Sequence, residues 1–143
     1  MTVPPAQNPL HATSIAIDGR VVLLIGASGS GKSDLALRLI DRGATLVSDD
    51  YTDIAVCAGE LIAAPPATIA GKMEVRHLGI VDMPHVHNLP VALAISLDDK
   101  PERMPDRSQR LTIMGIDIPL LRLNALEAST SIKVEMALRS IPA

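Results

Sequence analysis

Aromatic side chains are almost missing from this chain of 143 residues: Tyr51 stands alone, with no Phe and no Trp. That excludes the base-stacking platforms of single-strand nucleic-acid binders. An adenine ring bound here would have to lie against aliphatic side chains or backbone. An excess of positive charge is missing too, the formal net charge being −3, whereas nucleic-acid binding needs a basic field that displaces counterions. No nucleic-acid partner is therefore expected. Cys57 is the one cysteine, so no internal disulfide can form, and its place in a predicted strand reads as a small buried hydrophobe rather than a nucleophile. No apolar run is long enough to span a bilayer, and no membrane partner is expected. The first residues lack the charged and apolar regions of a signal peptide, and the expectation is a cytoplasmic protein. There is no internal repeat and no low-complexity segment.

What is present suffices for one core. The 48% hydrophobic content and the length fit a single domain. Residues 1–10, with Pro4, Pro5 and Pro9, read as a flexible leader, and residues 11–143 as one folded domain. Within it, Gly26-Ala27-Ser28-Gly29-Ser30-Gly31-Lys32-Ser33 satisfies G-x-x-x-x-G-K-[ST]. Before it runs the apolar Val21 to Ile25, suited to a strand buried on both faces. After it, Leu35, Leu39 and Ile40 share one face of a helix over residues 32–41. Strand, glycine loop and helix occur in the order a phosphate-binding loop requires, so backbone N–H groups and the helix N-terminus can converge on an oligophosphate. Lys32 would then reach the β/γ-phosphates of ATP and the Ser33 hydroxyl would ligate Mg²⁺.

Three turn pairs organise the strands. Asp18-Gly19 joins a strand over residues 14–17 to the strand over 20–25, and Ala58-Gly59 joins residues 53–57 to 60–63. Residues 111–114 and 116–123 meet near Gly115. Thr45 to Ser48 reads as a strand ending at Asp49-Asp50, and Val91 to Leu97 as a buried strand. Residues 98–109, with Pro101 and Pro105, read as a mobile polar loop. Ser129 or Thr130 would cap a final helix whose Val134, Ala137, Leu138 and Ile141 share a face. Hairpins outnumber helices, and a doubly wound parallel sheet, with its crossover helix between successive strands, fits badly. The fold class predicted is α/β: a P-loop domain on a mixed, largely antiparallel sheet.

Phosphoryl transfer also needs Mg²⁺ ligands, cations and a group that orients or deprotonates the acceptor. Asp49 and Asp50 sit at a strand's carboxyl end, where open sheets meet ligands, and one would serve the acceptor while the other serves Mg²⁺. Glu74 and Arg76, two apart, would share a face of a strand, as a site pair or an ordinary salt bridge. His85 and His87 lack a completing Cys or carboxylate and read as loop residues rather than metal ligands. Arg103, Arg107 and Arg110 populate the polar loop, either solvated or poised to contact transferred phosphate or an acidic partner.

Taken together, His11, Gly26 to Ser33, Leu46-Val47-Ser48-Asp49-Asp50, the segment Met73-Glu74-Val75-Arg76-His77-Leu78-Gly79-Ile80-Val81-Asp82, and Gly115-Ile116-Asp117-Ile118-Pro119 resemble the catalytic domain of the bacterial HPr kinase/phosphorylase family. The Glu-x-Arg-x-Leu-Gly-Ile run is the most specific of these. The resemblance implies an ATP- and Mg²⁺-dependent serine kinase whose partner is a small HPr-like phosphocarrier protein of the phosphotransferase system, on a fold shared with phosphoenolpyruvate carboxykinases. It implies Asp49 as the base for the acceptor serine, with His11 beside it, and Asp50 and Glu74 in the metal site with Ser33. Arg107 or Arg110 would match the family's mobile-loop arginine.

The departures carry implications of their own. The expectation is a protein without the family's additional N-terminal domain, resembling the short form of some alphaproteobacteria. Asp34 and His77 stand where members usually have Glu and Gly, the latter change restricting the backbone. Asn124 to Ala128 replaces a Pro-Gly-Arg-Asn segment, which implies weak or absent phosphorylase activity and bears on whether the chain forms a homo-oligomer. A nucleotide-sensing module that binds ATP and a partner without transferring phosphate is the alternative from another class, and a small-metabolite kinase a third.

Overall fold

A computed structural model of the chain describes residues 2–3 and 8–143. Its main sheet runs in the order β1 (Thr2–Val3), β10 (Arg110–Ile113), β11 (Ile116–Leu123), β9 (Leu89–Leu97), β3 (Arg20–Ile25), β2 (Thr13–Ile17) and β4 (Thr45–Ser48). A hairpin of β5 (Asp53–Cys57) and β6 (Glu60–Ala64) joins the first residues of β9, and β7 (Lys72–Val75) with β8 (Gly79–Asp82) forms a separate pair. Most pairings are antiparallel, as the turn pairs predict, yet the central strands β3, β9 and β11 run parallel. The hairpins decorate a parallel centre rather than replace it.

The apolar run of β3 follows from its two-sided burial. Val21 and Leu23 face one cluster with Ala63, Leu61 and Ile54 of the β5–β6 hairpin. Val22 and Leu24 face the other, against Leu35 and Leu39 of α1 (Lys32–Asp41) and Val134 and Leu138 of α2 (Thr130–Arg139). Alternate residues of a strand point to opposite faces, so a strand sandwiched between layers must be apolar throughout. Each such buried side chain contributes roughly 1.5–3 kcal/mol.

The three connecting turns behave as their sequences require. Asp18 and Gly19 have φ of 51° and 77°, Ala58 and Gly59 52° and 79°, and Met114 and Gly115 49° and 79°. Two consecutive positive-φ residues match the right-handed twist of the strands they join. Arg20 secures the far end of the chain, its guanidinium donating to the carbonyls of Ile141 (2.8 Å) and Leu138 (3.1 Å).

Several expectations need correction. Cys57 is exposed, because it ends β5 beside the turn, beyond the covered part of the hairpin. Arg76 lies in the turn after β7, so it shares no strand face with Glu74. Of the leader, residues 1 and 4–7 lie outside the described residues. Residues 8–10 are tied down: Asn8 exchanges side-chain hydrogen bonds of 3.0 Å with both backbone groups of Ile54, and buried Leu10 bridges Thr52. Backbone pairing and burial thus begin before His11. Neither Ser129 nor Thr130 caps α2 through its side chain; Thr130 Oγ1 donates instead to Asn124 O.

Candidate active site

The glycine loop links the end of β3 to α1, and its geometry explains its composition. Gly29 and Gly31 adopt φ of 81° and 97°, the left-handed region that glycine occupies without penalty. A Cβ on Gly26 would stand 2.5 Å from Ser30 Oγ and 3.3 Å from Leu97 Cβ, and one on Gly31 3.0 Å from Ala125 Cβ. Gly31 is the N-cap of α1 and supplies no side-chain cap, so the helix's first N–H groups stay available, with the positive end of its dipole, to an anion. Lys32 is buried, and its Nζ donates to the carbonyls of Gly26 (2.7 Å) and Ala27 (3.0 Å). The ammonium charge is thereby held over the loop. Ser30 Oγ is buried with no hydrogen-bond partner among the described residues.

Asp49 and Asp50 follow β4 and have opposite surroundings. Asp49 is buried; its Oδ1 accepts from Ser33 Oγ at 2.7 Å and, more weakly, from Thr13 Oγ1 at 3.4 Å, while Oδ2 accepts from the Glu74 backbone N–H at 3.0 Å. One carboxylate thus ties together α1, β2, β4 and β7. Asp50, at φ 69°, turns the other way. This is a left-handed conformation that aspartate tolerates better than most residues and that recurs at functional sites. Its backbone N–H donates to Thr13 Oγ1 at 3.1 Å, and its carboxylate, 58% exposed, pairs with His11 Nε2 at 2.9 Å. The His11 ring in turn stacks on Tyr51, centroids 5.1 Å apart. Below them, Ser14 Oγ, Thr52 Oγ1 and the Ala12 carbonyl form a buried hydrogen-bonded chain that fixes the start of β2 against the chain after Asp50.

The predicted residues therefore divide. Gly26 to Ser33, Asp49, Asp50 and His11 come together, but His11 pairs with Asp50 and not with Asp49, because Asp49 is turned inward to Ser33. Glu74 reaches the site through its backbone, its side chain being exposed. Arg107 and Arg110 are not brought there: Arg107 is exposed in the loop after β9, Arg110 is exposed at the start of β10, and Arg110 donates to the carbonyls of Arg107 and Gln109 at 2.9 Å. His85 lies beside Gly71, in an isolated bridge with Leu46. Thr13 and Tyr51 were not singled out from the sequence. Tyr51, as the chain's one aromatic and directly after the Asp pair, offered a signal; a threonine inside a strand offered none.

The family model described as HPr serine kinase C-terminal domain matches residues 5–141. This chain belongs to the HPr serine kinase C-terminal domain family. Relatives called HPr kinase/phosphorylase include that of Clostridium botulinum (strain Eklund 17B), 35% identical over 127 residues, which cover 80% of this chain and 42% of that protein. The Cupriavidus necator protein is 32% identical over 144 residues, covering 92% and 45%. The chain thus spans less than half the length of these curated relatives. The solved Hpr(Ser) kinase/phosphatase from Coxiella burnetii is 32% identical with a TM-score of 0.79, the match covering 91% of this chain and 87% of that one. The fold of the HPr serine kinase domain, α/β with a mostly antiparallel sheet, is therefore the fold of this chain.

Proposed function

We propose that this domain catalyses ATP-dependent phosphorylation of a serine on a small HPr-like phosphocarrier protein, with Mg²⁺ as cofactor. The observation that carries the reading is the divergence of two adjacent carboxylates: Asp49 bonded to the phosphate-loop serine, Asp50 outward and paired with His11. The donor set suits Mg²⁺, which takes hard oxygen ligands and is held by one or two protein groups together with phosphates and waters. Ser33 Oγ and the Asp49 carboxylate are such groups. Among the described residues no cluster of three or more His, Cys, Asp or Glu forms a metal cage, and a site of this kind needs none. When bound, Mg²⁺ supplies neutralisation of the charge that develops on the β- and γ-phosphate oxygens.

The roles read from the family resemblance are thereby exchanged. Asp49, buried and turned inward to Ser33, Thr13 and Glu74, is directed away from an incoming hydroxyl and serves the metal side through its bond to Ser33. Asp50 keeps one carboxylate oxygen without a partner among the described residues and faces solvent, where a folded protein can present a hydroxyl. In the transfer, the acceptor serine oxygen attacks the γ-phosphorus, the bond from that phosphorus to the β,γ-bridging oxygen breaks, and ADP leaves. The hydroxyl proton passes to Asp50, while His11 orients the carboxylate. Lys32 and the loop N–H groups hold the phosphates in line. The buried Ser30 hydroxyl is a further donor in the cradle. Arg107 enters this reading only if the loop carrying it moves.

Weak reverse phosphorolysis belongs to the same reading. The strap at 124–128 has lost the family's basic and turn residues and is instead engaged through the carbonyls of Ala125 and Glu127, both of which accept from Arg38. A cytoplasmic setting and a homo-oligomer are also part of it, the latter supported by exposed Ile132 and Met136 on one face of α2. The test is transfer of labelled γ-phosphate from ATP to a panel of phosphocarrier proteins and their serine-to-alanine variants. Asp50→Asn should lower transfer by about 10²–10⁴-fold while nucleotide binding survives. Wild-type transfer rates in that variant would overturn the assignment of the base.

A further inference from the structure

The parallel strands β3, β9 and β11 end on one edge of the sheet, with the glycine loop at the end of β3. Asp49 and Asp50 stand on the β2–β4 flank of that loop. On the opposite flank lies a cavity of about 450 Å³, bounded by Leu120 to Leu123 of β11, the loop after β9 and the first turns of α2. No residue of the glycine loop lines it; the link between the two runs through neighbouring residues. The strip from Leu123 to Glu127 lines the cavity at both ends and carries Ala125, against which Gly31 sits, while Leu97 at the end of β9 abuts Gly26.

We propose that this cavity holds the nucleoside of the nucleotide whose phosphates lie on Gly26–Ser33, a proposal that rests on the kinase reading above. Direction is the first support. Ser33 and Asp49 set the metal-bearing β/γ end of the phosphate chain on the β2–β4 flank, so the end carrying the ribose leaves the loop towards β9 and β11. Ligands of open α/β sheets lie along this carboxyl edge, and the volume falls in the range of small-molecule sites.

The lining suits a purine in a chain without Phe or Trp. Leu121 and Leu123 offer an aliphatic wall. Arg103 and Arg122 also line the cavity, and a guanidinium plane can stack on a base where no aromatic ring is available. Arg122 is only loosely engaged, 3.8 Å from Asp98 Oδ2, and Arg103 forms no ion pair among the described residues. The backbone adds polar groups. Leu120 N donates outward to Gln109 O (3.1 Å), whereas Leu123 O accepts from Asp98 N (2.9 Å) on the β9 side. Strand alternation then turns the N–H and C=O of Arg122 away from β9 and towards the cavity. Glu127 also lines the cavity; its Oε1 accepts from Lys133 Nζ (2.9 Å), which leaves Oε2 to accept from ribose hydroxyls, as acidic residues do in dinucleotide sites.

The test measures binding of Mg-ATP and of inorganic tripolyphosphate with Mg²⁺ to the full chain by titration calorimetry. Arg122→Ala should weaken ATP about tenfold, the worth of one desolvated guanidinium–π contact, and leave tripolyphosphate unchanged. Arg103→Ala, in the exposed loop, should do the same to a smaller extent and stands in if the first variant does not fold. Equal changes for both ligands, or no change for either, would overturn the pocket and leave the phosphate-loop reading standing. If neither ligand binds the unmodified chain, both readings fall.

Discussion

The two flanks of the glycine loop are built differently. On the β2–β4 flank, Asp49, Thr13, Ser33 and the Glu74 amide interlock across four secondary elements. On the β9–β11 flank, the loop of residues 98–109 is held mostly by bonds to its own neighbours: Lys100 N–H to Asp98 (3.1 Å), Ser108 N–H to Asp106 (2.9 Å), Arg110 to Arg107. Reacting groups need fixed geometry, which strand ends supply, whereas a ligand that must enter and leave is better served by a wall that can yield. The difference teaches that rigidity here is local to one side of a single loop.

If that contrast is right, substitutions on the fixed flank change turnover or Mg²⁺-dependent binding, and those on the yielding flank change affinity for the nucleoside alone. Asp50→Asn should show the largest effect, lowering kcat by about 10²–10⁴-fold, the usual worth of a general base, with the Kd for nucleotide unaltered. Leu23→Ala, which opens a hole behind the loop on the strand both flanks share, should cost about 2–5 kcal/mol in denaturant unfolding. A loss well below that range would mean the parallel centre is less rigid than its packing implies. Ser33→Ala removes the donor that Asp49 accepts and should cost about 1.5–3 kcal/mol of Mg²⁺-dependent nucleotide affinity; an equal loss in the absence of Mg²⁺ would break the metal-side assignment.

Smaller effects sharpen the picture further out. His77 has φ 74° in the turn between β7 and β8, so His77→Gly should stabilise the domain by about 0.5–1 kcal/mol, with kinase activity unchanged. The least effect concerns Asp106. The Ser108 hydroxyl and then its backbone N–H hold that carboxyl below its ordinary pKa of 3.8. A lowered folded-state pKa stabilises above the unfolded value, and the contribution disappears as pH falls through the folded one. In an NMR titration Ser108→Ala should move the Asp106 midpoint up towards the ordinary value and leave turnover at neutral pH unchanged.

How legible all this was depends on the range of the signal. The loop, α1 and three hairpins were readable because their determinants are local: glycines and turn residues at positions of positive φ, and apolar residues at helical spacing. The parallel centre was hidden because β3, β9 and β11 are far apart in sequence and nothing in their composition reports who pairs with whom. The partner of His11 was unreadable for a related reason. Adjacent aspartates look equivalent in sequence, and only the left-handed turn at Asp50 sends one carboxylate inward and the other out. Cys57 misled because position on a strand gives alternation but not which hairpin end is covered.

The pairing of β3 with β9 also bears on when the site comes into being. The glycine loop, α1 and both aspartates are synthesised within the first 50 residues, but the strand beneath the loop gains its second neighbour only with Leu89–Leu97, and α1 its packing partner only with Thr130–Arg139. Contacts of such long sequence separation carry a loop-closure cost before they return any burial. A nascent chain therefore exposes the apolar β3 until Leu89–Leu97 and then Thr130–Arg139 have emerged, and phosphate binding matures only as α2 packs on α1.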